Sequence, residues 1–301
     1  MTPEDAGLSR PAPLDRLTIR ALVQAALQED AAQQDLTSNA LVPVDQQGRA
    51  VVVAKSDGVV CGLQFALETY YAVEPRVRWM PAVSEGLRVA AGATIAHVDG
   101  PVHAILRGER VALNYLGRLS GIATQTADCV RAVAGSGARI LDTRKTTPGL
   151  RVAERYAVRV GGGRNHRNDL RSAMLVKDNH IAAVRARGGG LAEAVRLAVA
   201  AAGPATAVEV EVTSLDELRE AIDAGARAVL LDNLTPGALA EAVGLARQAG
   251  VTTEASGGIT LATLPDYAAS GVDFISLGAL THSVTPMDIS LQVVPEALSG
   301  G

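Results

Sequence analysis

From residue 139 onward, short apolar stretches alternate with Ala/Leu-rich helical ones, and this alternation restricts the fold more than any other feature of the chain. Strands are expected at Arg139 to Asp142, Met174 to Lys177, Val208 to Val212, Ala228 to Leu231, Thr252 to Ala255 and Phe274 to Leu277. Strands joined through helices pair in parallel, because only a long crossover can bring the chain back to the same edge. Ser214-x-x-Glu217 reads as a capping box, and Thr235-Pro236 as a cap with proline at the first helical position. Every strand runs into a polar or glycine cluster: TRKTT, KDNH, EVT, DN, SGG and GALTHS. A β/α barrel gathers such ends on one face, where barrel enzymes keep their chemistry. A doubly wound open sheet competes with it, weakened because no G-x-G-x-x-G follows a strand.

The first part of the chain has a different period. Residues 14 to 27 place Leu14, Leu17, Ala21 and Ala25 at helical spacing, and Asp35-Leu36-Thr37-Ser38 reads as a turn or cap. Arg49 to Ala54 and Gly58 to Leu63 read as strands joined by Ser56-Asp57-Gly58. After a turn at Ser84-Glu85-Gly86, Thr94 to Val98 and His103 to Leu106 read as two more, which gives an antiparallel α+β unit. Gly108 to Thr126 then reads as a long helix with Val111, Leu113, Leu116 and Leu119 as its buried stripe. In its expected first turn Glu109 suits the positive helix end and Arg110 does not, so Arg110 either faces solvent or reaches an anion.

At 301 residues the chain is long enough for two domains, and 48% hydrophobic residues with only 3% aromatic fit a close-packed α/β protein better than an all-β one. A net charge of −4 provides no basic field for nucleic acid or anionic lipid, so any bound anion must meet a local cluster of cations. Two cysteines, Cys61 and Cys129, make no disulfide framework and point to buried thiols in a reducing compartment. The first 15 residues lack the basic and then apolar pattern of a signal peptide, and no run of about 18 apolar residues occurs, so a soluble cytoplasmic protein is expected. Of 28 basic residues only Lys55, Lys145 and Lys177 are lysines, and two of them fall in the densest polar clusters.

Those clusters carry the chemistry. LDTRKTTPGLR, Leu141 to Arg151, combines an acid, adjacent cations and threonine hydroxyls; Arg144 offers a planar fork for carboxylate or phosphate and Lys145 a point charge. Gly161 to Arg167, GGGRNHR, reads either as a flexible anion-binding loop or as a surface glycine loop. Lys177, in KDNH, is a Schiff-base nucleophile, a phosphate ligand or the partner of Asp178. Glu211 and Asp232 end successive strands, where adjacent acids repel unless a cation joins them; Mg²⁺ arriving with a phosphorylated substrate would do so, and solvated rim carboxylates are the alternative. Glu209 shares the parity of Glu211. Ser256-Gly257-Gly258 and Gly278-Ala279 give bare backbone N–H groups suited to a phosphate cup. With no serine-histidine-aspartate order and no cysteine nucleophile in evidence, the set points to transfer chemistry on a sugar phosphate.

In order and spacing, GERVALNYLGRLSGIAT, LDTRKTTPGLR, RYAVRVGGGRNHR, LVKDNH, VEVEV, LLDN, EASGGI and LGALTHS resemble the quinolinate phosphoribosyltransferases over nearly the whole chain. The resemblance implies an N-terminal α+β sandwich over 1–125, joined by the tail 285–301, and an incomplete TIM-like β/α barrel over 126–284. It implies Mg²⁺-assisted joining of quinolinate to phosphoribosyl pyrophosphate, giving nicotinate mononucleotide, pyrophosphate and CO₂, the decarboxylating step of de novo NAD biosynthesis. It places Arg144, His166, Arg167 and Lys177 around the quinolinate carboxylates, joined by Arg110 from the other subunit of a homodimer or an assembly of dimers. Lys145 would meet phosphoribosyl pyrophosphate, Glu211 and Asp232 the metal and ribose, and Ser256, Gly257, Gly258, Gly278 and Ala279 the 5-phosphate. Thr143 and Leu280 complete the substrate-binding set, and Lys145, Lys177, Glu211 and Asp232 are its catalytic members.

The chain departs from that pattern at Arg155, where the family usually has lysine, and over Asn168 to Ser172, which lacks an expected glycine and aspartate. Three other readings remain open: a related group tied to molybdenum transport, which lacks the KDNH segment; a non-catalytic binder of phosphorylated metabolites; and a Schiff-base aldolase acting through Lys177.

Overall fold

The computed structural model describes residues 11–203 and 206–294, so ten residues at the start and the end of the tail from 295 lie outside the described residues. Helix α1 (Arg16–Glu29) is followed by a 3-10 turn (Ala32–Gln34), α2 (Leu36–Leu41), β1 (Gln47–Ala54), β2 (Gly58–Val59), α3 (Leu63–Val73), β3 (Arg78–Pro81), β4 (Arg88–Val89), β5 (Thr94–Pro101) and α4 (Val102–Ala132). Then come β6 (Arg139–Leu141), α5 (Arg151–Val160), β7 (Met174–Val176), α6 (Asp178–Arg185), α7 (Leu191–Ala201) and β8 (Val208–Val212). The chain closes with α8 (Leu215–Asp223), β9 (Ala228–Asp232), α9 (Pro236–Gln248), β10 (Thr252–Ser256), α10 (Leu264–Ala268), β11 (Phe274–Ser276), α11 (Ala279–His282) and β12 (Ile289–Val293).

Two compact units emerge: one comprises the chain up to Ala127, Thr146–Gly162 and the stretch from Leu280, the other Asp128–Lys145 and Gly163–Ala279. Compared with the expected barrel over 126–284, α5 and α11 thus cluster with the first unit. An ion pair and a hydrogen bond join both to α4. Arg118 on α4 donates through Nε and Nη2 to the buried carboxylate of Glu154 on α5 at 2.9 and 2.6 Å, and through Nη2 to the Thr281 carbonyl at 2.9 Å.

In the first unit an antiparallel sheet runs in the order β12-β1-β5-β3, with Ala50 opposite Val293 and Val98. Alternation in β1 buries Ala50, Val52 and Ala54 in a core shared with Tyr70, Ile95, Ile105 and Leu116. Asp35 caps α2, accepting the Thr37 and Ser38 amides at 3.0 Å. The expected strand Gly58 to Leu63 stops at Val59: Gly62 turns the chain at φ +105°, and Leu63 opens a helix that buries Phe65, Ala66 and Tyr70. That helix has no side-chain cap of its own. Glu85, 22 and 23 residues away in sequence, supplies it by accepting the Gly62 and Leu63 amides at 2.7 and 3.1 Å. The expected strand His103 to Leu106 is also helical, because α4 starts at Val102. Glu109 and Arg110 therefore lie beyond the first turn, and the argument that Arg110 opposes the helix dipole falls, since the field is concentrated in the terminal turn.

The second unit is a six-stranded sheet in the order β6-β11-β10-β9-β8-β7, its pairs all parallel. β6 and β7 are its two ends, and among the described residues no ladder joins them, so the barrel is incomplete; past β6 a parallel bridge, Leu141 to Arg164, continues it. Val210, Val212, Val229, Leu231, Ala255 and Ile275 are buried within the strands, and Leu218, Leu239 and Ala242 on the helices. Thr235 caps α9 ahead of Pro236. Ser214 caps α8 through the Glu217 amide, but the Glu217 carboxylate turns to the Thr213 amide, so only half of the expected box forms.

Candidate active site

Parallel pairing sets the C-terminal ends of the six strands along one edge, and the polar clusters follow those ends. The acid of LDTRKTT is not part of the exposed set. Asp142 is fully buried and accepts the His166 amide at 2.8 Å and the Asn165 side-chain amide. The Arg164 amide reaches the Ile140 carbonyl at 2.8 Å and the Asp142 amide the Arg164 carbonyl at 3.1 Å, so residues 164 to 166 lie along the end of β6. One buried carboxylate thereby ties both cation-bearing segments together. Beyond it Thr143 and Arg144 are half-buried and Lys145 is exposed, with the Lys145 amide turned onto the Thr143 hydroxyl at 3.0 Å.

The glycines ahead of His166 are not a surface loop throughout. Gly161 is buried in the first unit, and a Cβ there would stand 2.4 Å from the Ala123 carbonyl oxygen. After the arginine, Asn168 to Ser172 closes on itself: Asp169 accepts the Arg171 and Ser172 amides at 2.9 and 3.0 Å, and the Ser172 hydroxyl accepts that of Asn168 at 3.0 Å. This turn fixes the segment without the glycine. Arg155 is buried in α5.

Arg167 is half-buried and donates through Nη1 to the Ala173 carbonyl at 2.9 Å. Burial and the neighbouring charge of Arg144 pull its guanidinium below the usual range. The two guanidinium groups together form a cationic cluster of a kind that suits a carboxylate or phosphate. His166 stands beside them, with Nε2 3.0 Å from Glu209 and 3.4 Å from Glu254, and with Nδ1 accepting the Arg167 amide at 2.7 Å. Burial alone would lower the imidazole pKa, but the two carboxylates outweigh it and raise it to about 9. The amide at Nδ1 favours the neutral ring and works against them; two charged acceptors against one amide leave the shift upward. Burial raises the Glu254 carboxyl.

Glu209 and Glu211 face the same side of β8, and different cations satisfy them. Glu209 takes His166, and Glu211 takes Lys177 Nζ at 3.3 Å. Lys177 is thus the partner of Glu211 and not of Asp178, whose carboxylate accepts the Asn179 amide. Asp232, at the end of β9, accepts the Asn233 side-chain amide at 2.6 Å. Asn233 adopts φ 56° and its backbone amide donates to the Ser256 carbonyl at 2.9 Å. Gly257 is required there: at φ +94° a Cβ would lie 2.2 Å from Asn233 Oδ1. Gly258, at φ +62°, continues the turn, while Leu277 donates to the Leu141 carbonyl at 3.0 Å and Gly278-Ala279 leads into α11.

Arg144, His166, Arg167, Lys177, Glu211, Asp232, Ser256, Gly257, Gly258 and Gly278 thus all follow or end strands of one sheet. Arg110 is exposed on α4 of the first unit, and Leu280 is buried in α11 of that same unit. The sequence reading gave no role to Asn165, Glu254 or Asn233, and it counted Asp142 in the site cluster where the structure buries it behind the cations. For Glu254 there was a signal, a carboxylate inside an otherwise uncharged strand, TTEAS. Glu211 and Asp232, hard oxygen donors ending adjacent strands, are of the type that suits Mg²⁺. Because Glu211 already holds Lys177, contact through water or a substrate oxygen fits better than a closed cage of protein ligands.

Comparison with known proteins shows the family. Residues 35–120 match the family model for the N-terminal domain of quinolinate phosphoribosyl transferase and residues 122–292 that for its C-terminal domain. A probable nicotinate-nucleotide pyrophosphorylase [carboxylating] of Bacillus subtilis is 43% identical over 280 residues, covering 93% of this chain and 95% of that protein. The human nicotinate-nucleotide pyrophosphorylase [carboxylating] is 42% identical over 284 residues, covering 93% of both. The solved nicotinate-nucleotide pyrophosphorylase of Francisella tularensis superposes with a TM-score of 0.87 at 39% identity, over 94% of this chain and 98% of that one.

Proposed function

The chain belongs to the quinolinate phosphoribosyltransferase family, and we infer that it joins quinolinate to phosphoribosyl pyrophosphate, releasing CO₂ and pyrophosphate to give nicotinate mononucleotide for de novo NAD synthesis. The observation that supports the reading is the grouping of Arg144, His166, Arg167 and Lys177 at the strand ends of one parallel sheet, with Asp142 tying the first two segments together. Such a group of cations suits a dicarboxylate, and a bidentate guanidinium contact orients it.

In this reading Arg144, Arg167, His166 and Lys177 hold the dianion, with Thr143 beside them. The ring nitrogen attacks the anomeric carbon as the pyrophosphate oxygen leaves, through an oxocarbenium-like state. Glu211 and Asp232 face the developing positive charge, and Lys145 meets the phosphates of phosphoribosyl pyrophosphate. Amides of Ser256, Gly257, Gly258, Gly278 and Ala279, with Leu280, would receive the 5-phosphate. Mg²⁺ entering with phosphoribosyl pyrophosphate would be held by Glu211 and Asp232, and it supplies charge neutralisation at the departing pyrophosphate. Once the nitrogen is quaternised, the bond to the adjacent carboxylate breaks, CO₂ leaves, and the electron pair on the ring carbon takes a proton from solvent. The protein need only keep the ring in place.

A homodimer in which the exposed Arg110 of one subunit completes the other's site belongs to the same proposal, as does a cytoplasmic location. The latter is supported by two buried free thiols, and no helix among the described residues is long and apolar enough to cross a membrane. An aldolase acting through Lys177 is disfavoured, because an ammonium ion-paired to Glu211 is not a nucleophile. The test is turnover of quinolinate against nicotinate with phosphoribosyl pyrophosphate and Mg²⁺, following CO₂ and mononucleotide together. Equal amounts of both from quinolinate and nothing from nicotinate are expected; turnover of nicotinate would mean that the cations were misassigned.

A further inference from the structure

We propose that Glu209 and Glu254 are positioning residues for quinolinate binding, acting through His166 without touching substrate. The inference rests on the reading of His166 as part of the quinolinate site. A carboxylate repels a dianion, so two carboxylates, one buried and one half-buried, next to a cation cluster weaken the site unless their charge is spent on something else. Here they meet one imidazole nitrogen. Glu209 stands 3.0 Å and Glu254 3.4 Å from His166 Nε2, and the three ligating atoms lie within 4.8 Å of one another.

The rest of His166 is fixed by backbone. Its amide donates to Asp142 at 2.8 Å, and Nδ1 accepts the Arg167 amide at 2.7 Å. Both ring nitrogens and the main chain are therefore engaged, which leaves the imidazole one orientation and sets the direction in which the next residue, Arg167, leaves the chain. Strand pairing explains how the acids reach one ring. Glu254 is level with Leu230, and Leu230 with Glu211, so Glu254 stands one layer above Glu209 on the same face, and His166 spans the two layers. Locking a binding side chain through groups behind it keeps a site within the narrow tolerance that orientation demands.

A double-mutant cycle tests the proposal. Glu209→Gln and Glu254→Gln, which keep volume and remove charge, are made in the wild-type and His166→Ala backgrounds. Each alone is expected to raise the KM for quinolinate about tenfold and that for phosphoribosyl pyrophosphate less than about twofold. In His166→Ala each should add less than about twofold, since the group they act through is gone. Additive effects on quinolinate, or equal effects on both substrates, would overturn the proposal while leaving the overall reaction intact, whereas a wild-type protein inactive on quinolinate would overturn the functional reading. Because Glu254 is 4% exposed and its variant can misfold, the half-buried Glu209 carries the same cycle by itself. A readout without substrate is the ¹⁵N spectrum of the histidines, in which the His166 Nε2 resonance, identified by its loss in His166→Ala, should move in both glutamine variants. Stoichiometric transition metal in the purified protein, lost on Glu254→Gln, would instead make the three groups ligands and overturn the proposal.

Discussion

Arg118 and Arg167 are both partly buried arginines, and the molecule uses them in opposite ways. In the first unit Arg118 is neutralised by Glu154, a carboxylate with no exposure, and donates as well to the Thr147 hydroxyl at 2.8 Å; the second oxygen of Glu154 accepts the Thr147 amide at 3.0 Å. In the second unit Arg167 donates to the uncharged Ala173 carbonyl and lies near both the guanidinium of Arg144 and the carboxylate of Glu209. A carboxylate paired with a guanidinium holds the first unit together; in the proposed function, the cations gathered at the strand ends of the second meet a ligand. The contrast tells structure from function where residue type cannot.

Breaking the first arrangement should cost the most. Glu154→Ala leaves a partly buried arginine without its buried carboxylate and should lower unfolding free energy by about 3–5 kcal/mol in denaturant titrations; a loss below about 1 kcal/mol would show the pair to be dispensable. Next in size, Arg144→Ala or Arg167→Ala should weaken quinolinate binding about 10–100-fold, the worth of a charged hydrogen bond of roughly 1.5–3 kcal/mol, and leave stability within about 1 kcal/mol. Unchanged saturation by quinolinate in either variant would remove that residue from the site.

A smaller effect follows from His166. Its pKa is raised from 6.5 to about 9, so the stability it contributes is fully present below pH 6.5 and is lost as pH rises through about 9. Quinolinate affinity should fall over the same range, and a profile of binding against pH that is the same in wild type and His166→Ala would refute the assignment. Smallest of all, Ser214→Ala removes a helix cap remote in function, and should cost about 1 kcal/mol of stability with turnover unaltered.

The barrel was the more legible half because its strands are short, apolar and punctuated, and each punctuation is also a chemical group. Val208 to Val212 lies as the pattern placed it, and the other strands differ only at their ends. The first unit was less readable where a cause lies far off in sequence. Nothing near Leu63 announces a helix, because its cap is Glu85, and the apolar run before it imitates a strand. His103 to Leu106 misled for the same reason, an apolar stretch too short to reveal its period. At the site, the residues that end strands were legible, and those that hold them were not: Asp142 looked like a ligand-facing acid and is a buried peg, and Glu254 acquires meaning only when strand pairing brings it to His166.

The strand order has a consequence for how the molecule is made. Among the described residues, the one strand that pairs with β6 in a ladder is β11, and Leu277 donates to Leu141, across more than 130 residues of intervening chain. During synthesis from the N-terminus, the strand that leads into Arg144 and Lys145 therefore leaves the ribosome without its neighbour and waits for almost the whole barrel to follow. Contacts between such distant segments form late, because closing the loop between them must be completed first. The segment proposed to recognise quinolinate is thus among the last to acquire its shape, and a nascent chain stopped before residue 274 should fail to bind the dianion.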